Sequence, residues 1–281
     1  MNNKNYFQGW YFKCSSKENT IAFIPAYHCT DGHKTASLQI ITDDCALNVP
    51  FESLYYREKP LSAHIANCNF SEKGIELDIR REKVSAVGTV KFTNLSSLAY
   101  DIMGPFRFVP HMQCRHSVYS MRHRVNGTIT LNGKSYIFKN GKGYIEGDRG
   151  FSFPKRYVWT QCFFRNGSIM LSIADVPFSG FCFTGIIGVV MINGKEHRIA
   201  TYLGAKLKCI GKNLIIVKQG SLEVTACLIK SNSHPLYAPD NGTMSRTIHE
   251  NASCTAYYKV AYKEKTLSEF TSRQASFEFE Y

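Results

Sequence analysis

Length, composition and charge exclude several classes of protein. The 281 residues are 44% hydrophobic, enough to fill the core of one large β domain or of two ordinary domains. Ten cysteines are spread along the chain without a C-x-x-C pair, so neither a zinc ribbon nor a small disulfide scaffold is expected. The net charge of +12 suits an anionic partner, but no RNA-binding or helix-turn-helix signature organises the scattered basic residues. We therefore expect no nucleic-acid partner, while peripheral contact with an anionic membrane surface stays open.

Two apolar stretches bear on the compartment. The N-terminal sequence MNNKNYFQGWYFKC lacks the uninterrupted apolar segment of a signal peptide. The longest apolar run, residues 180–192, is too short for a membrane span and contains several glycines, so we expect a buried strand there. These features predict a cytoplasmic protein whose cysteines stay reduced.

The first half of the chain predicts short strands, in YFQGWYFKC, TIAFIPAYH, TASLQIIT, GIELDIRR and AVGTVKFT. Glycine and two prolines then interrupt the alternation in MGPFRFVPHMQC, residues 103–114. We place a domain boundary in this stretch, which divides the chain into residues 1–110 and 111–281.

The second half predicts consecutive hairpins. Asn-Gly pairs suit two-residue hairpin turns because both residues adopt positive φ, and such pairs begin at Asn126, Asn132, Asn140, Asn166, Asn193 and Asn241. No window of twelve residues holds a clean helical stripe. The chain should therefore be all-β, with antiparallel sandwiches or barrels, and a barrel of about eight strands can hold one small apolar ligand.

The stretch GYIEGDRGFSFP combines three glycines with ionisable residues. In an extended strand Tyr144, Glu146 and Asp148 point to one face at spacings of about 6.6 Å, so a phenol and two carboxyls line one wall. A purely structural alternative is that these acids pair with Arg149 and Arg156 at a strand end. A serine hydrolase is disfavoured because GFSFP is no G-x-S-x-G elbow, and nucleotide-binding fingerprints are missing as well.

Three motifs in order resemble the tocopherol cyclase family. They are YFQGWYFK (6–13), GYIEGDRGFSFP (143–154) followed by YVWTQC (157–162), and APDNGTMSRTIHE (238–250). The Y-x-E-x-x-x-G core is also similar to lipocalin-like carotenoid hydratases, which carry a Y-x-D pair there. The resemblance implies two lipocalin-like antiparallel β domains packed together, acting on prenyl or polyene substrates. Gln8 is a departure, since the family usually has glutamate at that position.

The chemistry implied by this resemblance requires a strong proton donor. Ring closure on a prenylated quinol, or hydration of an isoprenoid alkene, begins by protonating the double bond, and neither step needs a metal or a redox cofactor. The enzyme must hold a carboxylic acid protonated in an apolar site and shelter the cation with aromatic faces. We assign Glu146 as the donor reaching into the barrel interior, Tyr144 as its orienting group, and Asp148 or Arg149 as the residues that set its electrostatics.

Residues on the following strand predict an aromatic wall. Tyr157, Trp159, Gln161 and Phe163 share one face of an extended strand, and the first three are candidates for substrate binding. Trp10 is a further candidate, although a packing role at the barrel floor suits it better.

Other polar residues give weaker signals. Arg246 and Glu250, in the third motif, either complete the site or form an internal ion pair. His116 and His123 alternate faces in one strand, which does not make a metal pair, and a structural role is favoured for both.

Two functions follow from these observations. The first is an acid-catalysed, cofactor-independent cyclase or hydratase acting on a prenylated or otherwise apolar small molecule. The alternative is a lipocalin-like carrier that binds such a molecule unchanged. A buried Glu146 favours the enzyme, whereas a surface ion pair at this residue favours the carrier.

Overall fold

The computed structural model describes residues 5–178, 181–211 and 213–281, and 75% of the chain lies in β-strands. The helical elements of these residues are two short 3₁₀ turns, Gly104–Phe108 and Thr201–Leu203. The all-β prediction is therefore confirmed. No helix within the described ranges is both long and apolar enough to span a membrane.

The first sheet is antiparallel and contains the strands β1 (Tyr6–Ser15), β2 (Thr20–Thr30), β3 (His33–Thr42), β4 (Ala46–Phe51), β5 (Tyr55–Glu58), β6 (Leu61–Ile65), β7 (Cys68–Ser71), β8 (Gly74–Arg81), β9 (Val84–Thr93), β10 (Cys114–Leu131) and β11 (Lys134–Gly150). Their spatial order is β4-β3-β2-β1-β11-β10-β9-β8-β7-β6-β5. The long hairpin of β10 and β11 thus lies between β9 and β1, which gives β11 the first strand of the chain as its other neighbour.

The second sheet contains β12 (Tyr157–Phe164), β13 (Gly167–Phe178), β14 (Phe181–Ile192), β15 (Lys195–Ala200), β16 (Lys206–Gly211), β17 (Leu214–Gln219), β18 (Leu222–Lys230), β19 (His234–Asp240), β20 (Thr243–Tyr262) and β21 (Lys265–Glu280). Its order is β15-β14-β13-β12-β21-β20-β18-β17-β16, and β19 pairs with β20. The apolar run forms the strand β14, except for Gly180, which lies outside the described residues. The expected burial is only partial, because Ile186 and residues 188–190 are buried whereas Cys182 is exposed.

The chain divides into two compact units that are interleaved in sequence. The first unit contains Met1–Leu98, Cys114–Phe153 and Leu236–Thr247, and the second contains Ala99–Gln113, Pro154–Pro235 and Ile248–Tyr281. The boundary proposed at 110/111 falls within the Ala99–Gln113 segment. Because β10 and β11 return to pair with β9 and β1, a single cut in the sequence does not separate the two units.

Each unit has its own apolar core on one face of its strands. In β1 the alternating residues Trp10, Phe12 and Cys14 face the core of the first unit. In β12 the core residues of the second unit are Val158, Cys162 and Phe164. The face shared by Tyr157, Trp159 and Gln161 is therefore the one opposite this core, as the predicted alternation of β12 requires.

The predicted hairpin turns form at some Asn-Gly pairs and not at others. Asn132, Asn193 and Asn241 have φ near +50° and precede glycines of positive φ, as two-residue turns require. The turns predicted at Asn126 and Asn140 are wrong, because both residues lie inside the long strands β10 and β11. There the Oδ1 of Asn126 accepts the backbone N–H of Asn140 at 2.8 Å, which satisfies the backbone at an irregular point of the pairing.

Phe70 tests the core of the first unit. Its ring is fully buried and packs 5.6 Å from Phe12 and 6.2 Å from Phe23, measured between ring centroids. We expect Phe70→Ala to lower the free energy of unfolding by about 3–5 kcal/mol, because it leaves a cavity. Ile137→Ala, at a residue that is 54% exposed, should change it by about 0.5 kcal/mol. Urea denaturation measures both, and equal effects would contradict the core assignment.

Candidate active site

The carboxyl-terminal part of β11 presents a polar face and a core face. Tyr144, Glu146 and Asp148 alternate with Ile145, which is part of the core of the first unit. The three polar side chains therefore share the face opposite that core. The prediction that Glu146 reaches into a barrel interior is wrong, because the packed interior lies on the other side of the strand.

The glycines of this strand are explained by their neighbours on the core side. A Cβ at Gly147 would lie 2.8 Å from Cδ1 of Trp10, and one at Gly143 would lie 2.0 Å from Nε2 of His123. Both rings thus pack directly over backbone that carries no side chain. The motif G-Y-I-E-G combines two close approaches on the core face with polar groups on the other.

A chain of short polar contacts joins the residues of the opposite face. The Tyr144 hydroxyl donates a 2.5 Å hydrogen bond to Oε2 of Glu146, and Nε2 of His116 lies 3.1 Å from the same oxygen. The other ring nitrogen of His116, Nδ1, lies 2.9 Å from Oδ1 of Asp148. His116 comes from β10, where it is the cross-strand neighbour of Asp148. We call Tyr144, Glu146, His116 and Asp148 the acid cluster.

Burial and mutual charge set the protonation of the cluster. Glu146 is 5% exposed, and burial, reinforced by the nearby Asp148, raises its pKa, while His116 and Tyr144 act in the opposite direction. Burial alone would lower the pKa of His116, but the carboxyls of Asp148 and Glu146 outweigh it and hold this pKa well above its usual value. The cluster therefore favours a protonated imidazole beside a carboxyl that also tends to keep its proton.

The cluster also has the composition of a metal site. One ligand atom from each of His116, Glu146 and Asp148 lies within 4.8 Å of the others. However, the two ring nitrogens of His116 each face a different carboxyl oxygen, and only a deprotonated nitrogen can bind a metal. A protonated imidazole, hydrogen-bonded to Asp148 through Nδ1 and lying 3.1 Å from Glu146 through Nε2, satisfies both contacts, so the arrangement fits a proton on the ring better than a metal ion.

His116 is the member of the cluster that sequence reasoning did not assign to the site. The sequence shows only a histidine on a strand with irregular alternation. It does not show the two register shifts between Val118 and His123, which depend on the pairing with β11. His123 lies on the core face, where its ring centroid is 4.4 Å from that of Phe92. The two histidines thus occupy opposite faces of the sheet, and only His116 lies in the cluster.

The structural alternative for the two acids is wrong. Arg149 bonds to Oε1 of Glu58 at 2.5 Å rather than to Glu146 or Asp148. Arg156 lies 3.6 Å from Asp175. The pKa of Glu146 therefore depends on burial, His116 and Asp148 and not on these arginines.

Gln8 also belongs to the network of Arg149. Its side chain accepts a hydrogen bond from Tyr6 at 2.8 Å and donates one to Oε1 of Glu58 at 3.0 Å. Burial would raise the pKa of Glu58, but the hydrogen bonds from Gln8 and Arg149 lower it overall. A carboxylate from β5 thus lies beside the position where the resembling family carries glutamate.

Four of the residues predicted to bind substrate belong to the second unit. Trp159 and Glu250 are the cross-strand neighbours of Glu278 on either side, and the Tyr157 hydroxyl donates a 2.5 Å hydrogen bond to Glu278. Gln161 is fully buried on the same face of β12. Glu278 was not identified from the sequence, and the roles of these residues in substrate binding stay predictions.

The two remaining candidates belong to the first unit. Trp10 is 1% exposed, is part of the core, and directs its indole nitrogen to the Tyr119 hydroxyl at 3.4 Å. Its position agrees with the packing role that sequence analysis favoured. Arg246 lies at the start of β20, in the Leu236–Thr247 segment of the first unit.

Comparison with known proteins finds similarity in structure rather than in sequence. No family model and no curated protein matches the sequence. The fold is similar to that of CghA, with a TM-score of 0.63 at 6% identity over 99% of this chain and 88% of that chain. It is also similar to kievitone hydratase from Nectria haematococca, with a TM-score of 0.55 at 8% identity over 98% and 88% of the two chains. At these identities the similarity shows a shared, lipocalin-like fold.

The buried histidines should titrate at widely different pH values. We expect His116 to be protonated at pH 7.5, because its two carboxyl neighbours raise its pKa. Burial lowers the pKa of His28 to about 4 and that of His123 to about 3, so both should stay neutral at pH 5.5. Nitrogen-15 NMR of the imidazole rings distinguishes these states. Asp148→Asn should lower the pKa of His116, and a wild-type His116 that titrates near 6.5 would contradict the assignment.

Proposed function

We propose that this protein is a cofactor-independent hydratase or cyclase that protonates an alkene of an apolar small molecule with Glu146. The observation that carries the proposal is the buried carboxyl of Glu146, whose pKa is raised by burial and whose Oε2 contacts both Tyr144 and His116. Glu146 lies against a phenol and an imidazole, two groups that can exchange protons with a carboxyl or stabilise its charge.

The two contacts at Oε2 determine where the reactive proton lies. Because Oε2 accepts the Tyr144 hydroxyl and lies 3.1 Å from the His116 ring, we place the proton of a neutral Glu146 on Oε1. When Oε1 gives up its proton, the carboxylate is stabilised by the hydroxyl of Tyr144 and by protonated His116. Asp148 keeps His116 protonated and oriented. The donors are in place before the charge develops, which favours proton transfer.

The reaction balances without any further reagent. The electron pair of the double bond takes the proton from Oε1 of Glu146, which forms a C–H bond and a tertiary carbocation. An oxygen lone pair, from water in hydration or from a hydroxyl of the substrate in cyclisation, then forms the C–O bond. That oxygen loses its proton to the Glu146 carboxylate, which restores the acid.

Two observations support this class of reaction. The structural similarity to a kievitone hydratase supports the addition of water. The resemblance of the three sequence motifs to the tocopherol cyclase family supports ring closure on a prenylated quinol. Both reactions start with the same protonation, so the acid cluster serves either. The net charge of +12 would also suit contact with an anionic membrane surface, which the sequence leaves open and where such substrates partition.

Replacement of Glu146 tests the proton donor. A panel of prenylated phenols and hydroquinones, incubated in heavy water, should give products carrying one carbon-bound deuterium. We expect Glu146→Gln to lower the rate by about 10²–10⁴-fold while leaving substrate affinity nearly unchanged. Mass spectrometry of the products and equilibrium dialysis measure the two quantities.

Glu269→Gln is a matched control for this replacement. Glu269 also accepts a hydrogen bond from a tyrosine, Tyr257, at 2.7 Å, but this pair is exposed. The control should keep full activity. Loss of binding together with turnover in Glu146→Gln would contradict the donor role, and ligand binding by the wild type without turnover would favour the carrier.

The pH profile gives an independent test. The acid must be protonated to react, so the rate should fall as pH rises through the pKa of Glu146. The hydrogen bond from Tyr144 lowers that pKa by stabilising the carboxylate. Tyr144→Phe should therefore shift the alkaline limb to higher pH while reducing the maximal rate. A shift to lower pH would contradict the contact.

A further inference from the structure

The polar face of the acid cluster continues across three more strands. Register places Asp148 opposite Gly9 of β1, Gly9 opposite Ala26 of β2, and Ala26 opposite Ser37 of β3. Cross-strand neighbours point to the same face, so these four residues form one row. With strands about 4.8 Å apart, the row is about 14 Å long.

The middle of this row consists of two small residues. Gly9 has no side chain, and a Cβ there would lie 3.4 Å from the Cβ of Ala26. Neither residue rises above the backbone by more than one methyl group. We call this row the track, with Asp148 at one end and Ser37 at the other.

A second polar group stands at the far end of the track. Nε2 of His28 lies 3.0 Å from Oγ of Ser37, and the two residues are 5% and 7% exposed. The other ring nitrogen of His28, Nδ1, has no hydrogen-bond partner among the described residues. A buried imidazole nitrogen without a partner is costly, and a hydrogen bond from a bound ligand would remove that cost.

The segment from Tyr237 to Gly242, which includes the start of the third sequence motif, borders this end of the track. The side-chain amide of Gln39 exchanges two 2.9 Å hydrogen bonds with the backbone of Tyr237. Gly242 lies against Cys29, where a Cβ would be 2.6 Å from the carbonyl oxygen. Gln39 is two residues from Ser37 and Cys29 adjoins His28, so the segment from Tyr237 to Gly242 is anchored on both sides of the pair. It therefore flanks the pair of His28 and Ser37.

We propose that His28 and Ser37 bind a neutral oxygen group, a hydroxyl or a carbonyl, at the end of an extended apolar substrate whose alkene lies at Glu146. This inference rests on the proposed function. His28 lies two strands across from Asp148 and two residues along β2, and these perpendicular displacements of about 9.6 and 6.7 Å combine to a separation of about 12 Å. His28 is neutral, since burial lowers its pKa to about 4, and a neutral ring suits an uncharged oxygen.

His123 provides a matched comparison within the same unit. It too is a buried histidine that contacts a serine, with Nδ1 3.1 Å from Oγ of Ser120, and its Nε2 has no partner among the described residues. Its Nε2, however, lies over the backbone of Gly143, on the core face. No ligand group fits between them, so His123 serves packing and is the control for His28.

Binding of farnesol and of β-farnesene, which lacks the hydroxyl, tests the subsite. The measurements use Glu146→Gln as background, so that neither probe reacts, and equilibrium dialysis gives the affinities. We expect His28→Leu and Ser37→Ala to weaken farnesol binding about five- to tenfold, with farnesene unchanged. His123→Gln should change neither probe. In wild-type protein, farnesol but not farnesene should shift the imidazole NMR signals of His28.

Two other patterns of binding would contradict the proposed subsite. Equal weakening of both probes would mean that His28 shapes the fold, and unchanged farnesol binding, or none to the background protein, would mean that its oxygen is not bound there. Urea denaturation of each variant shows whether it is folded, and Ser37→Ala keeps the test valid if His28→Leu is not. The proposed function is tested separately by deuterium incorporation in the wild type, so the two can fail independently.

Discussion

The imidazole of His116, held between two carboxyls, is the interaction on which the functional interpretation depends. A buried carboxyl by itself becomes neutral but remains a weak acid, because nothing stabilises the charge left when its proton departs. His116 supplies that stabilisation at Glu146, and Asp148 on its other nitrogen keeps it protonated despite burial. The three groups share charge so that none is buried unpaired.

The strands provide the geometry that this arrangement needs. Pairing of β10 with β11 sets His116 directly opposite Asp148, and alternation along β11 places Tyr144 and Glu146 on the same face. On the reverse face, Gly143 and Gly147 let His123 and Trp10 pack against the backbone. A rigid core thus lies directly behind the cluster, which limits how far its side chains can shift.

The same sheet extends the polar face beyond the cluster. Small residues on β1 and β2 separate two buried histidines of opposite protonation, His116 with a raised pKa and His28 with a lowered one. The difference has a simple cause, since His116 has two carboxyl neighbours whereas His28 contacts a hydroxyl. One imidazole is suited to stabilise negative charge and the other to contact a neutral ligand group.

The sequence by itself determined the all-β class, most strand positions and the shared face of Tyr144, Glu146 and Asp148, because alternation and glycine are local signals. It did not reveal His116, Glu58 or Glu278, whose contacts join distant strands. The division into units also escaped it, because the pairing of β1 with β11 joins segments about 140 residues apart. Only the tertiary structure decided which arginine pairs with which acid, since a side chain's partner depends on register, and register is set by the packing of the whole sheet.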